Sequence, residues 1–298
     1  MHDQFQPSEL ILNPDGSVYH LHLLPEHVAD IIITVGDPDR VEMVSKYFDT
    51  IEFKNQKREF ITHTGTINGK SITVISTGIG TDNIDIVFNE LHILKNYDFE
   101  KKEIKPNRNS LTIYRIGTSG CLIPEIPVDS FLVSDFGIGI DNLLHFYRFE
   151  NSGTETRLLN AFETHHNFHH RIHPYAFAGS AQLIQDFTGN DFYHGITLTG
   201  PGFYGPQGRR IFLNLSQQQF YDDLKTFSFE NYRVTNFEME TAAMYGLAKL
   251  MGHACISLNV LLANRATGEF SKDPHAAVDR LIKVALEKIK FYREEDKK

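Results

Sequence analysis

The chain has 298 residues, 41% of them hydrophobic, enough to bury a large core in one big α/β domain or two smaller ones; a single domain over 1–298 is expected, with an N-terminal extension at 1–18. A formal net charge of −9 denies the protein the positive field that a general nucleic-acid or anionic-membrane binder needs, so any phosphate must be held locally. The sequence has no run of about 18 uninterrupted apolar residues, no basic-then-apolar leader in Met1-His2-Asp3-Gln4, and only two cysteines, Cys121 and Cys255, so the expectation is a cytoplasmic protein with packed thiols.

In chain order, Ile31 to Val35 is a continuous apolar run ending at Gly36, as expected of a strand buried on both faces, and Val41 to Tyr47 reads as helix. Phe60 to Ile67 and Ser71 to Ser76 flank Asn68-Gly69, a strong hairpin signal. Ile84 to Leu94 is apolar at helical spacing. Residues 101–109 read as an exposed insertion before the strand Leu111 to Ile116, and Ser130 to Phe136 is the next strand. Ser180 to Phe187 reads as helix, Gly195 to Leu198 as strand, Thr241 to Leu250 as helix and Cys255 to Leu262 as strand. A last helix, Pro274 to Tyr292, carries an apolar stripe of Val278, Leu281, Ile282, Ala285 and Ile289, before a charged tail at 293–298 expected to fray. Interleaved strands and helices predict a mixed, largely parallel sheet covered by helices, with ligand chemistry in the loops beyond strand ends.

Two glycine loops and an acidic pair carry candidate chemistry. In Gly36-Asp37-Pro38-Asp39-Arg40 the glycine admits a ligand to backbone N–H groups and Arg40 offers a planar fork to an oxyanion. Arg115-Ile116-Gly117-Thr118-Ser119-Gly120 adds an arginine and a hydroxyl between glycines, and Arg58 is a third cation; together these suit a phosphate dianion. Phe237-Glu238-Met239-Glu240 lies at the mouth of a predicted helix. It reads either as negative charge favoured by a helix N-terminus or as a grip on vicinal sugar hydroxyls, with the thioether packed under the ring.

These segments, with Arg58-Glu59-Phe60 and Ser76-Thr77-Gly78-Ile79-Gly80, fall in an order and spacing that resembles the nucleoside phosphorylase superfamily, most closely its uridine phosphorylases, over roughly residues 19–265. The resemblance implies a three-layer α/β/α fold with a distorted mixed sheet. The implied activity is reversible phosphorolysis of uridine to uracil and ribose 1-phosphate, as in pyrimidine salvage. It implies a homodimer or homohexamer with sites shared between subunits, and neither a catalytic metal nor an organic cofactor, inorganic phosphate being the co-substrate. By this likeness Gly36, Arg40, Arg58, Arg115 and Thr118 hold phosphate, and His20, Met239 and Glu240 hold ribose, with His20 and Arg58 reaching the neighbouring subunit's site. Several such enzymes bind a monovalent cation, such as potassium, at the dimer interface beside the glutamate that matches Glu59. Thr81-Asp82-Asn83 stands where they carry glycine, proline and serine, which leaves Asn83 to offer the oxygen.

Phe203-Tyr204-Gly205-Pro206-Gln207-Gly208-Arg209 looks like the uracil-reading segment, with Gln207 and Arg209 on the base carbonyls and Phe203 against a ring. Its Gly-Pro order is inverted relative to those relatives, and Gly208 replaces a more common acidic residue. Leu261-Leu262-Ala263-Asn264-Arg265 lacks the aspartate with which the purine branch protonates its base, favouring a pyrimidine. A nucleosidase, a phosphorylase acting on thymidine, deoxyuridine or a purine nucleoside, and a non-catalytic nucleoside-binding protein are the alternatives. His165, His166, His169, His170 and His173 would pair at i, i+4 if helical, but only Glu163 is a nearby carboxylate, so solvated or interfacial histidines are expected rather than a metal site.

Overall fold

The computed structural model describes residues 5–166, 171–189 and 191–291. Its first half contains strands β1 (Ile31–Val35), β2 (Thr50–Lys57), β3 (Phe60–Ile67), β4 (Lys70–Ser76), β5 (Tyr97–Asp98), β6 (Glu103–Ile104), β7 (Thr112–Cys121) and β8 (Phe131–Gly139), with helices α1 (Asp39–Ser45) and α2 (Thr81–Asn96). The second half adds α3 (Gly153–His165), β9 (Tyr175–Ala178), α4 (Ala181–Gln185), β10 (Phe192–Thr199), α5 (Phe220–Thr226), β11 (Ser228–Phe229) and β12 (Tyr232–Glu238). It ends with α6 (Thr241–Met251), β13 (Ala254–Asn264), β14 (Glu269–Phe270) and α7 (Pro274–Phe291).

Each strand and helix expected from the sequence is present, and the hairpin turns where Asn68-Gly69 predicts, with both residues at positive φ as a two-residue primed turn requires. The structure adds elements that the apolar pattern did not mark. Strand β2 is an edge strand exposed over most of its length, so it carries no buried alternation to read. Helix α3 is announced instead by a capping box: the Glu155 amide donates to Ser152 Oγ at 3.3 Å and the Ser152 amide to Glu155 Oε2 at 2.6 Å. The insertion at 101–109 contains β6, which pairs with β5 beyond the end of α2.

Among the described residues twelve strands join one sheet in the order β11-β12-β10-β8-β13-β7-β1-β4-β3-β2, with β9 on β8 and β14 on β13. Strand β1 runs parallel to both β4 and β7, and β7 parallel to β13, while β8 pairs antiparallel with β13. Strand β12 also crosses to β7, setting Asn236 opposite Cys121 and Phe237 opposite Gly120. That contact closes β7, β13, β8, β10 and β12 into a ring, which is the distortion expected of the sheet.

Both faces of the sheet are covered. Ile31, Ile33 and Val35 pack with α1, α4 and α7, whereas Ile32, between them, packs with α2 and α6. This period of two on a strand buried on both faces is what makes three α/β/α layers. All five residues of the predicted α7 stripe are buried in the first of these clusters. No helix among the described residues is long and apolar enough to cross a membrane.

Candidate active site

At the C-terminal ends of β1, β7, β12 and β13 the sheet opens on a cavity of about 1010 Å³. It gathers from this one chain Gly36, Arg40, Arg115 and Thr118, then Met239 and Glu240, then Phe203, Gln207 and Arg209. Three groups of residues that lie far apart in sequence therefore share one cavity.

The cationic side is built on β1 and β7. Gly36 directly follows β1, and Arg40, on the first turn of α1, donates from Nη1 to the Ile116 carbonyl at 3.3 Å. Burial, only partly offset by Asp37 and reinforced by the charge of Arg115, lowers Arg40 to about 10, so it remains a cation at neutral pH. Arg115 is 5% exposed. It donates from Nη1 to Asn259 Oδ1 at 3.1 Å and from Nη2 to Glu240 Oε2 at 2.5 Å, with Glu238 Oε2 3.3 Å away. Burial opposes its charge, yet the two carboxylates more than compensate and hold its pKa above the ordinary arginine value.

The segment read as a glycine loop after Arg115 is a correction: β7 continues through it to Cys121, held by β13 on one side and the end of β12 on the other. Gly117 is needed there for room. A Cβ on it would lie 1.6 Å from Arg115 Nη1, because the guanidinium lies back across the strand.

The two carboxylates of the acidic pair have different partners. Glu238, the last residue of β12, accepts from the amides of Glu240 at 2.9 Å and Thr241 at 2.9 Å and from Thr199 Oγ1 at 2.6 Å, so it serves the N-terminus of α6. Burial, with Glu240 close by, keeps Glu238 above the usual carboxylate range, although Arg115 works the other way. Both carboxylates line the cavity, and Glu240 accepts from Arg115 and from the Gly80 amide at 2.8 Å. Met239, between them, is partly exposed in the same cavity.

In the segment 203–209, Gly205–Gln207 forms a single 3₁₀ turn closed by Gly208 at φ 66°, a left-handed position suited to glycine. Gln207 is 2% exposed, and its Oε1 accepts from Arg209 Nη1 at 2.7 Å. The same nitrogen donates to the Phe203 carbonyl at 2.6 Å, and the Arg209 guanidinium carbon sits 3.7 Å from the Phe203 ring centroid. With its oxygen engaged by Arg209, Gln207 retains two amide N–H donors.

Asn264, in the segment 261–265 that holds no acid, uses its amide structurally. Its Nδ2 donates to the Ile123 and Ile126 carbonyls at 2.9 and 2.8 Å, and Oδ1 accepts from the amides of Ala266 and Thr267 at 2.9 and 3.2 Å. It thereby pins the turn between β13 and β14, whose Glu269 and Phe270 form part of the cavity rim.

Two predicted residues lie outside this cavity. Arg58 is exposed at the turn between β2 and β3, at φ 53°. His20 pairs through Nδ1 with Glu90 Oε1 at 2.6 Å, and the amides of His20 and Leu21 donate to the same carboxylate. Glu59 and Asn83, the pair named for a monovalent cation, both reach the cavity, with Asn83 donating an amide hydrogen to Glu59 Oε1 at 3.2 Å. Helix α3 stops at His165; His169 and His170 lie outside the described residues, and among those described no cluster of side chains suits a metal. Both cysteines are buried, and burial pushes both thiols up.

Sequence reading missed the Gly80 amide and Asn259. A glycine before α2 gave a signal only as part of a motif, and Asn259 sits in an apolar strand where nothing in its flanks marks it.

Residues 30–290 match the family described as the Phosphorylase superfamily. The chain is 28% identical over 304 residues to a uridine phosphorylase of Thermococcus kodakarensis, an alignment spanning 99% of this chain and 94% of that protein. It is 26% identical to a uridine phosphorylase of Haemophilus influenzae, over 87% of this chain and 90% of the other. It is also similar to the crystal structure of a Trypanosoma brucei nucleoside phosphorylase that shows uridine phosphorylase activity, with a TM-score of 0.86, 30% identity, and coverage of 94% of this chain and 98% of that one.

Proposed function

The chain belongs to the phosphorylase superfamily, and from that premise we propose that it is a uridine phosphorylase, converting uridine and inorganic phosphate reversibly to uracil and ribose 1-phosphate. The observation that carries the reading is that every residue assigned to this chain's own site lines one cavity: Gly36, Arg40, Arg115 and Thr118 for phosphate, Met239 and Glu240 for ribose, and Phe203, Gln207 and Arg209 for the base.

A phosphate oxygen attacks C1′ as the C1′–N1 bond breaks, and the base departs with the bonding electrons. Positive charge grows on the sugar and negative charge on the uracil carbonyls, so groups aimed at both ends lower the barrier. The buried Glu240 carboxylate takes the 2′- and 3′-hydroxyls and sits beside the developing cation. Gln207 and Arg209 donate to the base carbonyls and stabilise the leaving anion. The segment 261–265 holds no acid that could protonate a purine, and the Asn264 amide within it is committed to backbone groups, which favours a pyrimidine.

His20 and Arg58 are assigned to the neighbouring subunit's site, which makes the active unit at least a dimer. Phosphorus NMR tests the reaction. With uridine present, the inorganic phosphate signal should be replaced by that of a sugar phosphate in step with uracil release; free ribose with unchanged phosphate would make the protein a nucleosidase.

A further inference from the structure

We propose that Asn259 is a positioning residue for phosphate, acting through Arg115; the proposal rests on the phosphorylase reading of the site. Asn259 is fully buried and is not among the residues that line the cavity, so it reaches a ligand only through the guanidinium it holds. In the parallel ladder of β13 and β7 it lies opposite Gly117, the residue whose missing Cβ leaves room for the Arg115 side chain. Its Oδ1 accepts from Arg115 Nη1 at 3.1 Å, while Nη2 of the same guanidinium is taken by Glu240. The fork is thus fixed at two nitrogens by two different acceptors, one neutral and one charged.

Asn259 itself has no freedom to turn. Its Nδ2 donates to Ser257 Oγ at 3.2 Å, and that hydroxyl lies 2.8 Å from Thr241 Oγ1 at the start of α6. The Ser257 amide donates to the Tyr245 hydroxyl at 2.9 Å, and that hydroxyl donates to the Ser134 carbonyl at 2.6 Å. Ser257, Thr241 and Tyr245 are all buried. Because an amide nitrogen only donates and a guanidinium has no acceptor, this chain of bonds leaves one orientation for Asn259, with oxygen toward Arg115. Without that neutral acceptor, the buried guanidinium would be left to Glu240 and Glu238, and its donors would turn from phosphate toward the carboxylates.

The experiment measures inorganic phosphate binding by titration calorimetry without nucleoside, then steady-state kinetics with uridine, on the wild type, Asn259→Ala and Ser257→Ala. Expected for Asn259→Ala is phosphate affinity weakened about tenfold and a matching rise in the phosphate KM, with the uridine KM within about twofold. Ser257→Ala, which loosens Asn259 without removing it, should weaken phosphate about two- to threefold. Unchanged phosphate affinity in a folded Asn259→Ala overturns the proposal. So does an equal loss for both substrates that tracks the folded fraction, which is what a purely structural role would give. Should Asn259→Ala not fold, Ser257→Ala decides by the same criteria. A wild type that binds phosphate but leaves uridine intact would refute the phosphorylase reading alone, and the calorimetry would still report on Asn259.

Discussion

Arg115 and Gly117 show how closely residue type and site geometry are tied. A side chain at 117 cannot coexist with a guanidinium whose Nη1 would sit 1.6 Å from the new Cβ. Gly117→Ala should therefore leave the strand paired but displace Arg115 from Glu240, lowering turnover by about a hundred-fold, on the scale of losing one positioned donor. A cooperative melting curve at lowered temperature, from the broken buried pair, together with that loss in the folded protein is the expected result; full activity would show that Arg115 has another workable position. Arg209→Ala should cost a similar factor in kcat if, as proposed, its donors act on charge that develops as uracil leaves, and an unchanged rate at saturating uridine would remove it from that role. At this scale the sequence marked most of the residues that share the cavity but not what surrounds them. Glu240 and Glu238 look alike in the chain, and only the three-dimensional partners separate the carboxylate that takes the α6 amides from the one that takes the Arg115 guanidinium and the Gly80 amide.

At the level of elements, the strands and helices with a buried face were readable because burial writes a period into the sequence: β1, the β3–β4 hairpin and α7 are where the pattern puts them. Strand β2 and the extension of β7 through Gly117 and Gly120 were not, since an edge strand carries no apolar alternation and a strand interrupted by glycines reads as turn. Helix α7 is fastened to the C-terminal end of α1 by Asp279, which accepts from Tyr47 Oη at 2.8 Å and pairs with Lys46 at 2.7 Å and Lys283 at 2.9 Å. Burial alone would raise the Asp279 carboxyl; the two lysines and the tyrosine outweigh it and hold the pKa well below its ordinary 3.8. A carboxylate with a depressed folded-state pKa contributes stability above its unfolded pKa and loses it as the pH falls. Asp279→Asn should thus cost about 0.5–1 kcal/mol at neutral pH, the lysines being largely in solvent. The difference from wild type should shrink as the pH drops below 3.8, as followed by denaturant unfolding across that range. A cost that stays constant with pH would mean that packing, not charge, is what Asp279 provides.

For the whole molecule, the position of Arg58 and His20 outside the cavity of their own chain accords with the proposed assembly, in which each subunit completes its neighbour's site. Arg58→Ala and Glu240→Ala should each be inactive alone. After reassortment of subunits a mixed dimer regains one intact site, giving about a quarter of wild-type activity, as two-fold symmetry with random pairing dictates. No recovery would place the whole site within one chain. The family could be seen in the sequence because several separate motifs agreed, and the fold then explains their separation: strand ends from β1, β7, β12 and β13 meet at one cavity.

The central claim, phosphate-dependent cleavage of a pyrimidine nucleoside, is tested most directly by incubating the purified protein with uridine or inosine, with and without inorganic phosphate, and measuring the free base. The account predicts uracil release only when phosphate is present and no hypoxanthine from inosine. Uracil release without phosphate, or preferential cleavage of inosine, would contradict it.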